Sequence, residues 1–295
     1  MIYGGIEAGG TKWVCAVGCA PAGIQETVTF ATTSPDETIA RATSFFAGHD
    51  IAAVGIGSFG PLDLRPDSPT WGRITTTPKP GWSDTDVAGA FATALGVPVA
   101  IDTDVNAAAI AEHRWGNAIG LGTFCYLTVG TGIGGGVLVD GAVLHGLIHP
   151  EFGHMRVPHD RQVDPFEGAC PYHGDCLEGL ASGAAIHARA GIPAEDVTDE
   201  RTWQLVAEYL ALGIANVTSV LSPERVVIGG GVMGRPLLLP RIRERVKLLL
   251  AGYFSADALD GDLSGYIVPP SLGGEAGVLG SLELARMAVA AEPAA

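Results

Sequence analysis

Phe124-Cys-Tyr-Leu-Thr-Val129, Gly130-Thr-Gly-Ile-Gly-Gly-Gly136 and Val137-Leu-Val-Asp140-Gly141 follow one another without a break, and what comes after the glycines decides the fold. Gly130, Gly132 and Gly135 satisfy the spacing of a dinucleotide fingerprint. That fingerprint needs a helix after the loop, whose N-terminus receives a pyrophosphate. Here the loop leads into an apolar strand that ends at an Asp-Gly pair, the signature of a tight hairpin turn. An earlier stretch repeats the plan: residues 2–7 and 13–17 read as strands joined by Gly9-Gly10-Thr11-Lys12. It imitates a phosphate-binding loop, yet has Thr-Lys where Lys-Ser/Thr is required, and no helix follows. Two glycine hairpins, near residues 9 and 132, therefore open two halves of the chain.

The rest alternates between helix and strand. Ser34-Pro-Asp-Glu37 is a capping box with proline at the first helical position, opening a helix toward Phe46. Residues 51–57 and 97–101 fit buried strands, and an Ala-rich helix runs from Asp104 to Trp115. Beyond the second hairpin lie helical stretches at 177–190 and 202–221, a strand at 225–228, a helix near 235–250 and a last helix after Gly274. This order predicts an α/β architecture. We divide it into a lobe of residues 1–115 and a lobe of residues 116–280, with the last helix, 281–292, returning to the first lobe. An Ala/Pro tail closes the chain at 292–295.

A chain of 295 residues, 47% hydrophobic, is long enough for two such lobes. Its formal charge of −15 weighs against nucleic acid as a partner. No apolar run approaches membrane-spanning length, and the N-terminus lacks a secretory signal, so a cytoplasmic protein with no membrane partner is expected. The acidic balance also means that an anionic nucleotide must be met by backbone amides, helix ends and a divalent cation.

Glu151-Phe-Gly-His154 and Cys170-Pro-Tyr-His173-Gly-Asp-Cys176-Leu-Glu178 bring two thiols and two imidazoles to a spacing that a tetrahedral zinc can close. With His154, Cys170, His173 and Cys176 as ligands the site is filled by protein, so its role is structural: to brace Glu151, His154 and Glu178 within the segment 151–178. A disulfide between Cys170 and Cys176 is the alternative, disfavoured in the cytosol. Cys15, Cys19 and Cys125 read as small core residues.

Asp102-Thr-Asp104-Val-Asn106 lies at the C-terminal end of a strand and the start of a helix, where α/β proteins face their ligands. Asp102 fits a capping or turn role. Asp104 is the better general base, with Asn106 supplying amide hydrogen bonds. The bare amides of the two hairpins suit phosphate oxygens, with Thr11 and Thr131 adding hydroxyls. Gly229-Gly-Gly-Val-Met233 suits the approach of adenine or ribose to the backbone, or a tight βα turn. Residues 75–82 read as a pocket wall or a surface loop.

Taken in order, Glu7-Ala-Gly-Gly-Thr-Lys12, Gly55-Ile-Gly-Ser-Phe-Gly-Pro61, Asp102-Thr-Asp-Val-Asn106, Gly130-Thr-Gly-Ile-Gly134, Glu151-Phe-Gly-His154 and the 170–178 segment run through nearly the whole chain. Together they resemble the ROK family of bacterial sugar kinases and repressors, most closely its fructokinase branch. The resemblance implies a two-lobed actin/hexokinase-like (ribonuclease-H-like) ATPase fold with a structural zinc loop, ATP and sugar as ligands, magnesium and zinc as metals, and a homodimer. It implies that Asp104 is the base and that Asn106, Glu151, His154 and Glu178 touch the sugar. Glu7, Gly10, Thr11, Lys12, Thr131, Gly132, Gly229, Gly230, Gly231 and Met233 then fall on the ATP side. The family usually has Asp where this chain has Glu7, whose longer arm reaches magnesium through water. It also usually has Cys-x-Cys-x4-Cys, so that His173 stands in for a cysteine. The implied activity is ATP-dependent phosphorylation of a hexose, fructose at its 6-hydroxyl, with glucose, mannose or N-acetylmannosamine as alternative acceptors. A sugar-sensing repressor on the same fold needs a DNA-binding domain, for which the residues before the first strand leave no room.

Overall fold

The computed structural model describes residues 1–19 and 23–291, so the 292–295 tail lies outside it. The chain forms two compact units, one of residues 1–119, 143–150 and 271–295, the other of residues 120–142 and 151–270.

In the first unit β1 (Tyr3–Ala8) turns through Gly9–Thr11 into β2 (Lys12–Cys19), and β3 (Gly23–Ala31) follows. Then come α1 (Pro35–Phe46), β4 (Val54–Ser58), α2 (Val87–Leu95), β5 (Val99–Thr103) and α3 (Asp104–Trp115). The sheet order is β3-β2-β1-β4-β5, antiparallel through the first three strands and parallel from β1 to β5. The second unit holds β6 (Phe124–Val129), β7 (Ile133–Val139) and β8 (Ala142–Val143, whose second residue belongs to the first unit), then α4 (Leu177–Ala181), α5 (Gly183–Ala190) and α6 (Glu200–Leu221). β9 (Arg225–Gly229), α7 (Leu238–Leu250) and β10 (Ile267–Val268) complete it. Its sheet order, β10-β9-β6-β7-β8, is the first sheet's order read backwards, the ribonuclease-H-like plan used twice. The last helix, α8 (Ala276–Ala291), belongs to the first unit.

Both hairpins form as the turn chemistry predicts. At the Asp-Gly turn Asp140 and Gly141 take φ of 51° and 74°, both left-handed, as a two-residue hairpin turn requires. Ser34 is the N-cap of α1, its Oγ accepting from Glu37 N, while the Glu37 carboxylate accepts from the Thr33 hydroxyl. Several expectations are corrected. The stretch 177–190 is two helices, because Ser182 ends α4 and its hydroxyl accepts from Ala185 N to cap α5. β3 is an edge strand whose mostly polar, exposed residues carry little strand signal. Cys19 is exposed, unlike the buried Cys15 and Cys125. Of the 75–82 stretch, residues 75–81 are an exposed or half-buried loop, whereas Trp82 is fully buried, 5.7 Å from Trp13, and its Nε1 donates to Thr33 O. α6, at 22 residues with a window of mean hydropathy 1.3, is long and apolar enough to cross a membrane; 56% of that window is buried in the protein, as in a core helix.

α8 packs on β1, β4 and α3 with almost no gap. A Cβ on Gly55 would lie 1.9 Å from Ser281 O, and one on Gly280 would lie 1.7 Å from Ala107 O. Ser281 Oγ donates to Ile6 O and accepts from Gly57 N, stitching the helix to the two central strands. Glu112, fully buried near the end of α3, accepts from Asn117 N, Leu272 N and Ser271 Oγ and so ties α3 to the segment that enters α8. The 143–150 segment is fixed within the same unit by His149 Nε2, which accepts from Leu62 N at 3.0 Å.

Candidate active site

In the first unit the candidate groups gather around the head of α3. Thr103, not Asp102, is its N-cap: the Thr103 hydroxyl accepts from Asn106 N. Asp104 is thereby the first helical residue, and its Oδ1 accepts from Val105 N at 2.9 Å. Desolvation raises the Asp104 carboxyl to about 6. Glu7, at the end of β1, is raised to about 7, first by burial and then by the charge of Asp104, with Lys12 opposing. A buried acidic group raised further by a neighbouring carboxyl is a setting that a cation relieves. The β1–β2 turn stays open: nothing lies within 4 Å of a Cβ built on Gly10, while Thr11 and Lys12 are exposed. Asn106 is buried, and its Nδ2 donates to Asp102 at 2.6 Å.

The second unit brings His154, Cys170, His173 and Cys176 together, their ligand atoms all within 4.8 Å of one another, a cluster able to hold a metal ion. Zinc with bonds of about 2.3 Å to sulfur and 2.05 Å to nitrogen calls for tetrahedral edges of about 3.3 Å (N to N) and about 3.6 Å (N to S). His154 Nδ1 and His173 Nδ1 are 3.3 Å apart. Cys170 Sγ lies 3.7 Å from His154 Nδ1 and 3.6 Å from His173 Nδ1, and Cys176 Sγ lies 3.6 Å from His154 Nδ1. His173, the departure from the family pattern, meets the expected edge lengths to His154 and Cys170. Both thiols are free, so the disulfide alternative is set aside.

The braced loop grips the second glycine hairpin. Directly after Cys176, α4 carries Glu178, whose Oε2 accepts from Ile133 N at 2.8 Å and lies 2.6 Å from a Cβ built on Gly132. A Cβ on Gly153 would sit 2.0 Å from Ile133 O, so the 151–154 turn rests on the same strand. On its other side the hairpin meets the head of α5, where Gly183 N donates to Gly130 O and Ala184 N to Thr131 O.

Beside this junction opens a cavity of about 1060 Å³, lined by Thr131, Gly183, His187, Trp203, Gly231 and Arg235 among others. Arg235 lies over the Trp203 ring at 5.0 Å and donates to Val197 O. Of the predicted Gly229–Met233 group, Gly231 and Val232 line the cavity. Gly229 packs against Pro270, and Gly230, at φ 98°, brings the turn onto Val129, where a Cβ would lie 2.4 Å from its carbonyl oxygen. Met233 N closes that turn on Gly230 O. His187, Trp203 and Arg235 were missed from sequence because they come from two helices and a loop with no shared motif.

Comparison with known proteins places this geometry. The ROK family matches residues 3–288. A fructokinase of Zymomonas mobilis is 45% identical over 97% of this chain and 97% of its own length. One from Pediococcus pentosaceus is 41% identical over 98% of this chain and 99% of its own. A ROK glucokinase of Streptomyces griseus, solved with glucose and AMPPNP, superposes with a TM-score of 0.78 at 26% identity, covering 97% of this chain and all of that one. With the glycine hairpins, the aspartate at the head of α3 and the four-ligand cluster in their expected order, the chain belongs to the ROK family and has its actin/hexokinase-like fold.

Proposed function

We propose that this protein is an ATP-dependent fructokinase, transferring the γ-phosphoryl group of ATP to the 6-hydroxyl of free fructose. The observation that carries the reading is Asp104: a carboxylate at the head of α3, raised to about 6, in a chain that matches fructokinases at 41–45% identity over nearly its full length. Phosphoryl transfer asks a protein mainly for alignment and charge neutralisation. Asp104 hydrogen-bonds the attacking hydroxyl and accepts its proton as the bond to phosphorus forms. Asn106, Glu151, His154 and Glu178 hold the sugar.

The nucleotide belongs to the cavity beside Thr131 and Gly231, which is large enough for it. Amides and hydroxyls of Gly10, Thr11, Thr131 and Gly132 meet its phosphates, with Lys12, Gly229, Gly230 and Met233 shaping or flanking the site. Magnesium, when bound, neutralises the phosphate charge, and Glu7 would hold it through water. Zinc, held by His154, Cys170, His173 and Cys176, fixes the loop that carries Glu178. We read the protein as a cytoplasmic homodimer of two lobes.

A panel of hexoses assayed with ATP and magnesium for ADP release tests this. Fructose is expected to give the highest kcat/KM. Preference for glucose, mannose or N-acetylmannosamine would reassign the acceptor within the kinase class, and no ADP release with any hexose would overturn the reading.

A further inference from the structure

Asn106 Oδ1 is one of the few buried side-chain polar atoms among the described residues with no hydrogen-bond partner, although Asn106 is only 1% exposed. The reason lies next to it. Asp102 Oδ1 accepts from both Asn106 Nδ2, at 2.6 Å, and Thr103 N, at 2.7 Å. The other oxygen, Oδ2, pairs with His145 Nε2 at 3.0 Å. A carboxylate only accepts, so the group that Asn106 turns toward it must be its NH2, and the amide cannot flip without setting two acceptors face to face. Asp102, held at both oxygens, thus fixes the direction of the Asn106 carbonyl. A buried acceptor with no partner is a costly group that a ligand can satisfy.

We propose that Asp102 is a positioning residue which, steadied by His145, orients Asn106 so that its carbonyl oxygen accepts a hydrogen bond from one hydroxyl of the acceptor sugar. The inference rests on the reading of Asp104 and Asn106 as the sugar end of the site, and it adds polarity: at that position the sugar must donate. Neither Asp102 nor His145 needs to touch the sugar. The helix-capping job that the Asp102 position suggests is already done by Thr103, which leaves the carboxylate for this one.

Polarity can be tested with hydroxyl replacements. A deoxy sugar loses both donor and acceptor at one carbon, whereas a deoxyfluoro sugar keeps a weak acceptor and loses the donor. Calorimetric affinities are to be measured for fructose and for its monodeoxy and monodeoxyfluoro analogues at each hydroxyl-bearing carbon. At one position both replacements are expected to weaken binding to the wild type about tenfold, the scale of one hydrogen bond to a buried partner. In Asp102→Ala the Asn106 amide is free to turn, so fructose itself weakens and the penalty at that position shrinks toward one. Asp102→Asn should restore the penalty, because its carbonyl oxygen still accepts from Asn106 Nδ2 and Thr103 N. Asn106→Ala should abolish it, a comparison that stands even if Asp102→Ala does not fold.

The proposal is overturned if no position shows the paired loss, in which case water serves the carbonyl oxygen. It is overturned equally if the pattern persists unchanged in Asp102→Ala. Either result in an enzyme that turns over fructose leaves the kinase reading standing, whereas a wild type without fructose turnover removes both.

Discussion

On the proposed reading, Asp104 serves the chemistry and costs stability through the same property. Its carboxyl, raised from 3.8 to about 6 by desolvation, works as a base only when ionised, so log kcat/KM should fall as pH drops through about 6. A pH–rate profile with no acid limb near that value would argue against this base. Asp104→Asn should lose about two or more orders of magnitude in kcat while still binding sugar. The linkage runs the other way for folding. A carboxyl that holds its proton more tightly when folded costs stability as pH rises from about 4 to about 6. Asp104→Asn should therefore melt higher than wild type at pH 8 but not at pH 4, and a melting scan at both separates lost chemistry from a lost fold. Glu112 shows the opposite economy, a buried carboxylate whose bonds are all structural. Glu112→Ala would strand Asn117 N, Leu272 N and Ser271 Oγ and should cost about 3 kcal/mol or more in chemical denaturation.

Among the elements, α8 and the zinc loop show how local sequence and distant packing divide the work. Alanine is normally better than glycine inside a helix by about 1 kcal/mol. At Gly280 the balance reverses, because the added methyl would lie 1.7 Å from Ala107 O, a backbone atom that cannot step aside. Gly280→Ala should thus lower the melting temperature despite its higher helix propensity, and a rise would show that α8 can slide on α3. Strand β3 escaped the sequence reading because an edge strand has few neighbours to demand apolar residues, and β10 because two residues are too short a signal. α3, by contrast, runs from Asp104 to Trp115 as the sequence predicts, its alanines favouring the helix interior, although its cap falls to Thr103 and not to Asp102.

Over the whole molecule, one strand order used twice gives each unit a glycine hairpin at the same place in its sheet. In the second unit that hairpin is clasped by Glu178, which lies two residues after Cys176 of the Cys/His cluster, the group proposed to hold zinc. Zinc should therefore matter beyond its loop. Metal analysis is expected to find one zinc per chain. Chelation should lower the melting temperature and weaken both sugar and nucleotide, since Glu178 and the Gly130–Gly132 turn would loosen together. Intact sugar and nucleotide affinity after complete zinc removal would show that the clasp holds without the metal.

Turn chemistry, alternation of strand and helix, and the spacing of thiols and imidazoles are local, and the sequence alone settled them: two hairpins, an α/β chain, two thiols and two imidazoles spaced to hold a metal ion, and an aspartate at the head of a helix. Only the tertiary structure decided which of the neighbouring groups faces which. It gave the cap to Thr103 and turned Asp102 toward Asn106 and His145. It clasped Glu178 onto the hairpin and gathered His187, Trp203 and Arg235 around one cavity. Those outcomes depend on contacts between residues tens of positions apart, where packing and the need to satisfy buried polar groups choose among partners that local sequence treats alike.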